Sequence, residues 1–108
     1  YDDQEKHFAV DIAVDEDTPV KAVADGTVIF TGFTADTGYV ILIEHGQGFT
    51  SIYKHNASIY KEQGELVKTG EVIASAGSTG AFSTGAHLHF ELWNDGYPVN
   101  PTNYINFD

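Results

Sequence analysis

Apolar residues fall at every second position in several short stretches of the 108-residue chain, the period of a half-buried β-strand. In His7–Val14, Phe8, Val10, Ile12 and Val14 share one face, while His7, Ala9, Asp11 and Ala13 share the other. An i,i+4 spacing would also place His7 and Asp11 on one face of a helix, but strict alternation and β-branched content favour a strand. In Gly85–Trp93, Leu88, Phe90 and Leu92 oppose His87, His89 and Glu91. Val20–Val23 and Thr27–Phe33 read as strands joined by a tight turn at Ala24-Asp25-Gly26, and Tyr39–Glu44 as a central strand covered on both faces. Phe49–His55 follows the His45-Gly46-Gln47-Gly48 turn, and its period places Ser51, Tyr53 and His55 together. Val72–Ala76 is a further strand, and Asn94-Asp95-Gly96 signals a hairpin.

Between these lie the turn at Asp15–Pro19, the loop Thr34–Gly38, and a polar stretch, Asn56–Gly64, read as a loop or a single helical turn. Gly77–Thr84 is expected to form a rim beside His87, and Pro98, Pro101 and Asn103 mark an irregular tail. No long helix is predicted, so the expectation is one all-β domain over residues 1–108. A weak internal echo relates Val20-Lys21 and Gly26-Thr27-Val28-Ile29 to Val67-Lys68 and Gly70-Glu71-Val72-Ile73.

Charge narrows the partners. The formal net charge is −11, with only 5 Lys+Arg, so nucleic acid and anionic lipid or wall polymer are disfavoured. With no cysteine, disulfides and thiolate zinc are excluded, and any metal site must be built from His, Asp and Glu. No stretch resembles a signal peptide or a membrane span. The start at Tyr1 is expected to be a cut from a longer exported chain, with a covering or wall-binding domain elsewhere in it.

The chemistry gathers on the polar faces. His7, His55, His87 and His89 lie among small or polar neighbours, with Asp11 in register with His7. Two adjacent imidazoles on one side of a strand are poor packing material, but they suit a cation or a developing charge. A hydrolytic zinc site needs three protein ligands and an open fourth position, which two histidines and a carboxylate provide. Spacing alone leaves open which histidines bind. His45, at a strand end, reads as a structural turn cap, and Glu91 as a solvated or supporting residue. Tyr53 reads as packing rather than groove lining, and Asp15-Glu16-Asp17 as a charged turn.

His7-Phe8-Ala9-Val10-Asp11, Tyr53-Lys54-His55 and His87-Leu88-His89-Phe90 resemble the three signature motifs of the lysostaphin/LytM-type zinc endopeptidases, which cut peptide cross-links in bacterial peptidoglycan. Asp17-Thr18-Pro19-Val20, Ala24-Asp25-Gly26, Glu44–Gly48 and Pro98–Pro101 extend the resemblance, which runs from about His7 to Tyr104. It implies a small antiparallel β-sandwich or barrel-like domain of the duplicated hybrid motif type. His7, Asp11 and His89 correspond to the Zn2+ ligands, and His55 and His87 to the two unligated catalytic histidines. The family usually carries glycine where this chain has Ala9, whose methyl is expected to crowd the space between two ligands. The region before the first motif is also short.

The resemblance implies a zinc-dependent endopeptidase acting on peptidoglycan peptides outside the cytoplasm. The low pI of about 4.5 favours a periplasmic setting and a D-Ala–diaminopimelate bond. The alternative is a non-catalytic domain of the same fold that regulates a cell-wall amidase.

Overall fold

The computed structural model describes residues 9–77 and 85–104. The expectations for His7, for most of the Gly77–Thr84 rim and for the end of the tail lie outside these residues.

Among the described residues, nine strands form one antiparallel sheet: β1 (Ala9–Ala13), β2 (Pro19–Lys21), β3 (Gly26–Thr34), β4 (Gly38–Gly46), β5 (Phe49–Ile59), β6 (Leu66–Val67), β7 (Val72–Ala76), β8 (His87–Asn94) and β9 (Tyr97–Val99). The main path runs β1-β8-β5-β4-β3-β6, with β7 paired to β2 and β5, and β9 to β8. A 3₁₀ turn at Pro101–Asn103 follows, capped by the Asn100 side chain. The all-β architecture is as the alternation predicts, and its antiparallel pairing is as the resemblance implies.

Two hairpins are tight because glycine stands where the backbone turns left-handed. Gln47 and Gly48 (φ 54° and 81°) join β4 to β5, and Asp95 and Gly96 (φ 53° and 85°) join β8 to β9. The two tips touch, with the Asp95 N–H donating to Gly48 O at 2.9 Å. A Cβ on Gly48 would lie 2.0 Å from the Asp95 carboxylate, so no other residue fits there without displacing that contact.

The strands on either side of Ala24-Asp25-Gly26 do not pair with each other, as a hairpin there would require. β2 pairs with β7, and β3 pairs with β4 and β6. The echo in the sequence explains this exchange: the short strand of each repeat is added to the longer strand of the other. The Ala22 N–H donates to Glu71 O, and the Gly70 N–H to Ala22 O. The Val28 N–H donates to Glu65 O, and the Gly64 N–H to Val28 O. Val20 and Val67, one from each short strand, are both buried in the core beside Val28 and Ile73.

The core draws Phe90 and Leu92 from the alternating strand, Ile41 and Ile43 from the continuous apolar run, and Tyr53 from β5. Ile41, Ile43, Tyr53, Phe90 and Leu92 are buried, each large aliphatic or aromatic chain contributing about 1.5–3 kcal/mol. Tyr53 packs on Phe90, ring centroids 5.3 Å apart. Its hydroxyl is satisfied inside, accepting from the Val23 N–H at 3.1 Å and lying 2.8 Å from Ser51 Oγ. His45 closes this polar chain, with Nε2 at 2.6 Å from Ser51 Oγ and Nδ1 at 2.8 Å from Asp25 O. It ties a turn to the core, a structural role in line with its reading as a cap. Burial pushes the Tyr53 hydroxyl up to about 12 despite these bonds.

Two expectations for β5 need correcting. The strand continues through Asn56–Ile59, where a loop or helical turn was expected, because these residues pair with Ala74–Ala76 of β7. Nor do Ser51, Tyr53 and His55 share a face. The β4 pairing moves from Ile41↔Tyr53 to Tyr39↔Asn56, three residues on β5 against two on β4, which is a bulge. His55 takes the left-handed conformation there (φ 64°), Asn56 takes the next buried position, and the His55 side chain leaves the core face.

Candidate active site

The bulge brings a third imidazole to the two on β8. The His55 ring lies 4.8 Å from that of His87 and 5.7 Å from that of His89, measured between centroids. A left-handed backbone costs a residue with a Cβ about 1–2 kcal/mol, so surrounding bonds must hold it. The His55 N–H donates to Thr37 O at the tip of the β3–β4 hairpin (2.7 Å), and its carbonyl accepts from the Gly77 N–H (3.1 Å). The Asn56 Nδ2 spans the bulge, donating to Tyr39 O and Tyr53 O. Gly77 O in turn accepts from the His87 N–H (3.2 Å), so one peptide segment fixes the backbones of both histidines.

Asp11 reaches the same place from the other end of the sequence. The β1–β8 register sets Ala9 opposite Glu91, Asp11 opposite His89 and Ala13 opposite His87. Directly opposed residues project to the same side of a sheet, and the two alanines leave room for the longer chains facing them. Across the ladder the Ala9 methyl faces Glu91, while the expected crowding between His7 and Asp11 involves His7, which lies outside the described residues.

Asp11 Oδ1 lies 2.8 Å from His89 Nδ1 and 3.9 Å from His87 Nε2, the second distance being too long for a hydrogen bond. His89 Nε2 is engaged on its other side by Glu91 Oε2 at 2.8 Å. Glu91 is not solvated. The same Oε2 accepts from Lys54 Nζ at 2.8 Å, and Oε1 accepts from Trp93 Nε1 at 3.0 Å. Burial alone would raise its pKa, but the three donors outweigh it and hold the carboxyl at about 2. Burial likewise opposes charge on His89, yet the Glu91 and Asp11 carboxylates on either side raise its pKa above the usual histidine value. His87 Nδ1 lies 3.0 Å from Gly85 O. A carbonyl only accepts, so Nδ1 carries the proton and the neutral ring has its lone pair on Nε2, toward Asp11.

This chemistry suits a divalent cation. His89 Nδ1 and Asp11 Oδ1 converge to within one hydrogen bond. Bonding both neighbouring carboxylates requires an imidazolium, whose Nδ1 proton occupies the place a cation would take. Among the described residues no cluster of three or more His, Asp, Glu or Cys side chains is arranged to hold a metal, and His7 lies outside them. The structure therefore brings together Asp11, His89, His55 and His87 of the five residues singled out from the sequence. Of the two readings the sequence leaves for Glu91, solvated or supporting, its bonds to His89, Lys54 and Trp93 fit the second.

Residues 5–101 match the model of Peptidase family M23, and the chain belongs to that family. It is 43% identical over 95 residues to the "DD-carboxypeptidase/endopeptidase Mpg" of Neisseria meningitidis serogroup B, covering 88% of this chain and 22% of that protein. It is 38% identical over 94 residues to the "Murein hydrolase activator EnvC" of Escherichia coli K12, covering 87% and 22%. Among solved structures, a zinc-containing peptidase from Vibrio cholerae superposes with a TM-score of 0.79 at 39% identity, over 82% of this chain and 27% of that one. The catalytic domain of lysostaphin from Staphylococcus simulans superposes with a TM-score of 0.82 at 30% identity, over 91% and 77%. The chain spans about a fifth of the length of these two curated relatives.

Proposed function

We propose that this chain is the catalytic domain of a zinc-dependent endopeptidase that hydrolyses peptide cross-links of bacterial peptidoglycan outside the cytoplasm, at D-Ala–diaminopimelate bonds. The observation that carries this reading is the convergence of Asp11, His89, His87 and His55 from three strands. The endopeptidase and zinc-containing relatives support it.

His7, Asp11 and His89 would hold the Zn2+. When bound, the ion polarises the scissile carbonyl and lowers the pKa of the attacking water. The rest falls to the chain's own side chains. His87 Nε2 accepts the proton that water loses as it attacks the carbonyl carbon, and Gly85 O holds the opposite nitrogen in the right tautomer. The same nitrogen returns that proton to the amine as the C–N bond breaks, so the water's atoms end in the new carboxyl and amine. His55, fixed by Thr37 and Gly77, donates toward the negative charge that builds on the carbonyl oxygen.

The test is digestion of purified muropeptides with and without a chelator, products being identified by mass. Cleavage that the chelator abolishes is expected, and His55→Ala and His87→Ala should each lower kcat by about 10²–10⁴-fold with zinc still bound. The match to the murein hydrolase activator favours a second reading, a non-catalytic domain regulating a cell-wall amidase. Stoichiometric zinc without cleavage of any muropeptide would overturn the enzyme reading in its favour.

A further inference from the structure

We infer that Glu91 is a positioning residue for the site: gripped by Lys54 and Trp93, it fixes His89 so that Nδ1, not Nε2, is presented beside Asp11. The inference rests on the reading of Asp11 and His89 as ligands of a divalent cation. A neutral imidazole has one N–H and one lone pair, and its neighbours decide which nitrogen carries which. Nε2 lies 2.8 Å from Glu91 Oε2. A carboxylate only accepts, so once a cation takes the place of the proton between Nδ1 and Asp11, the remaining N–H stays on Nε2 beside Glu91 and the lone pair is on Nδ1. The carboxylate also makes the ring a stronger donor, as it does wherever it backs a ligating histidine.

Glu91 can do this because it cannot turn away. Lys54 takes Oε2 from the neighbouring strand β5, where it is paired with His89 itself, and Trp93 takes Oε1 from two residues along β8. Its side chain keeps only 15% of its exposure. With both oxygens committed, Glu91 is kept from ligating the cation although it follows two histidines on the same strand face. Lys54, one residue before His55, thereby acquires a role in the site without touching it.

The experiment is zinc affinity by competition with a chromophoric chelator, with the His89 tautomer read by long-range ¹H–¹⁵N correlation on the zinc-loaded protein. The expected results are an Nε2–H ring at His89 in the wild type and a 10–100-fold weaker affinity in Glu91→Gln, because an amide can face the ring with either its oxygen or its NH2. Trp93→Phe, which frees only Oε1, should weaken affinity about 2–10-fold and serves if the Glu91 variant does not fold. Wild-type affinity and an unchanged tautomer in both variants, with affinity lost in Asp11→Ala, would overturn this inference alone. Wild-type affinity in Asp11→Ala would instead overturn the ligand reading beneath it.

Discussion

Gly77→Ala puts the geometry of the histidines to a direct test. A methyl at position 77 would lie 2.7 Å from Ala57 Cβ, 2.9 Å from Ala57 N and 3.0 Å from Ala57 Cα. Carbon atoms rest at about 3.5–4.0 Å, so the two backbones must part by on the order of 1 Å. Two of the three obstructing atoms are main chain, and no side-chain rotation can relieve them. Overpacking of this kind costs about 1–3 kcal/mol, which in a domain this small lowers Tm by about 4–8 °C for each kcal/mol. The displacement does not stay local, because the Gly77 N–H and C=O hold the backbones of His55 and His87. Misplacing catalytic groups by about 1 Å costs about 10²-fold in rate. The assay pairs thermal unfolding with kcat on muropeptides, measured where the variant is still folded. The double variant Ala57→Gly/Gly77→Ala removes only the Cβ contact, so partial recovery is expected. A Gly77→Ala protein with wild-type Tm and wild-type kcat would refute the reasoning.

The buried Tyr53 hydroxyl should make the fold sensitive to alkali. Its folded pKa of about 12 lies above the ordinary value of 10, so the stability it contributes is full below pH 10 and is lost as pH rises through 10 to 12. The size is up to ~3 kcal/mol, and denaturant midpoints from pH 9 to 12 should fall faster for wild type than for Tyr53→Phe; parallel curves would contradict it. At neutral pH, Tyr53→Phe should itself cost about 1–3 kcal/mol, since the Val23 N–H and the Ser51 hydroxyl lose a partner inside the protein. At position 9, Ala9→Gly should leave zinc affinity within about 3-fold of wild type, since its methyl faces Glu91 rather than the Asp11–His89 pair. Ala9→Val should weaken it about 10-fold by displacing the Glu91 carboxylate, and chelator competition distinguishes the two.

What could be read from the chain was its local chemistry. Alternation in Gly85–Trp93 placed His87 and His89 on one face of a strand, and glycines marked the turns at Gln47-Gly48 and Asp95-Gly96. What escaped was set by distant parts of the chain. His55 leaves its periodic face because Thr37 and Gly77 hold it in a left-handed bend, and neither contact has a local signature. Asn56–Ile59 looked polar enough for a loop, yet β7 supplies an unpaired edge that makes it a strand. The role of Glu91 depends on Lys54, which is 37 residues away in sequence. The echo between Val20 and Val67 was legible as repetition, but the swap of β2 and β6 between repeats is a pairing of strands distant in sequence that leaves no local signature.

Asp11 and His89 are 78 residues apart in sequence, and they stand on strands of unequal security. β8 is flanked on both edges, whereas among the described residues β1 meets only β8. Outermost strands peel away at a lower free energy than interior ones. The acidic half of the pair is thus hinged like a door on a wall that holds the imidazole half still. Whatever grips both halves bolts the door, holding the outer strand to its neighbour.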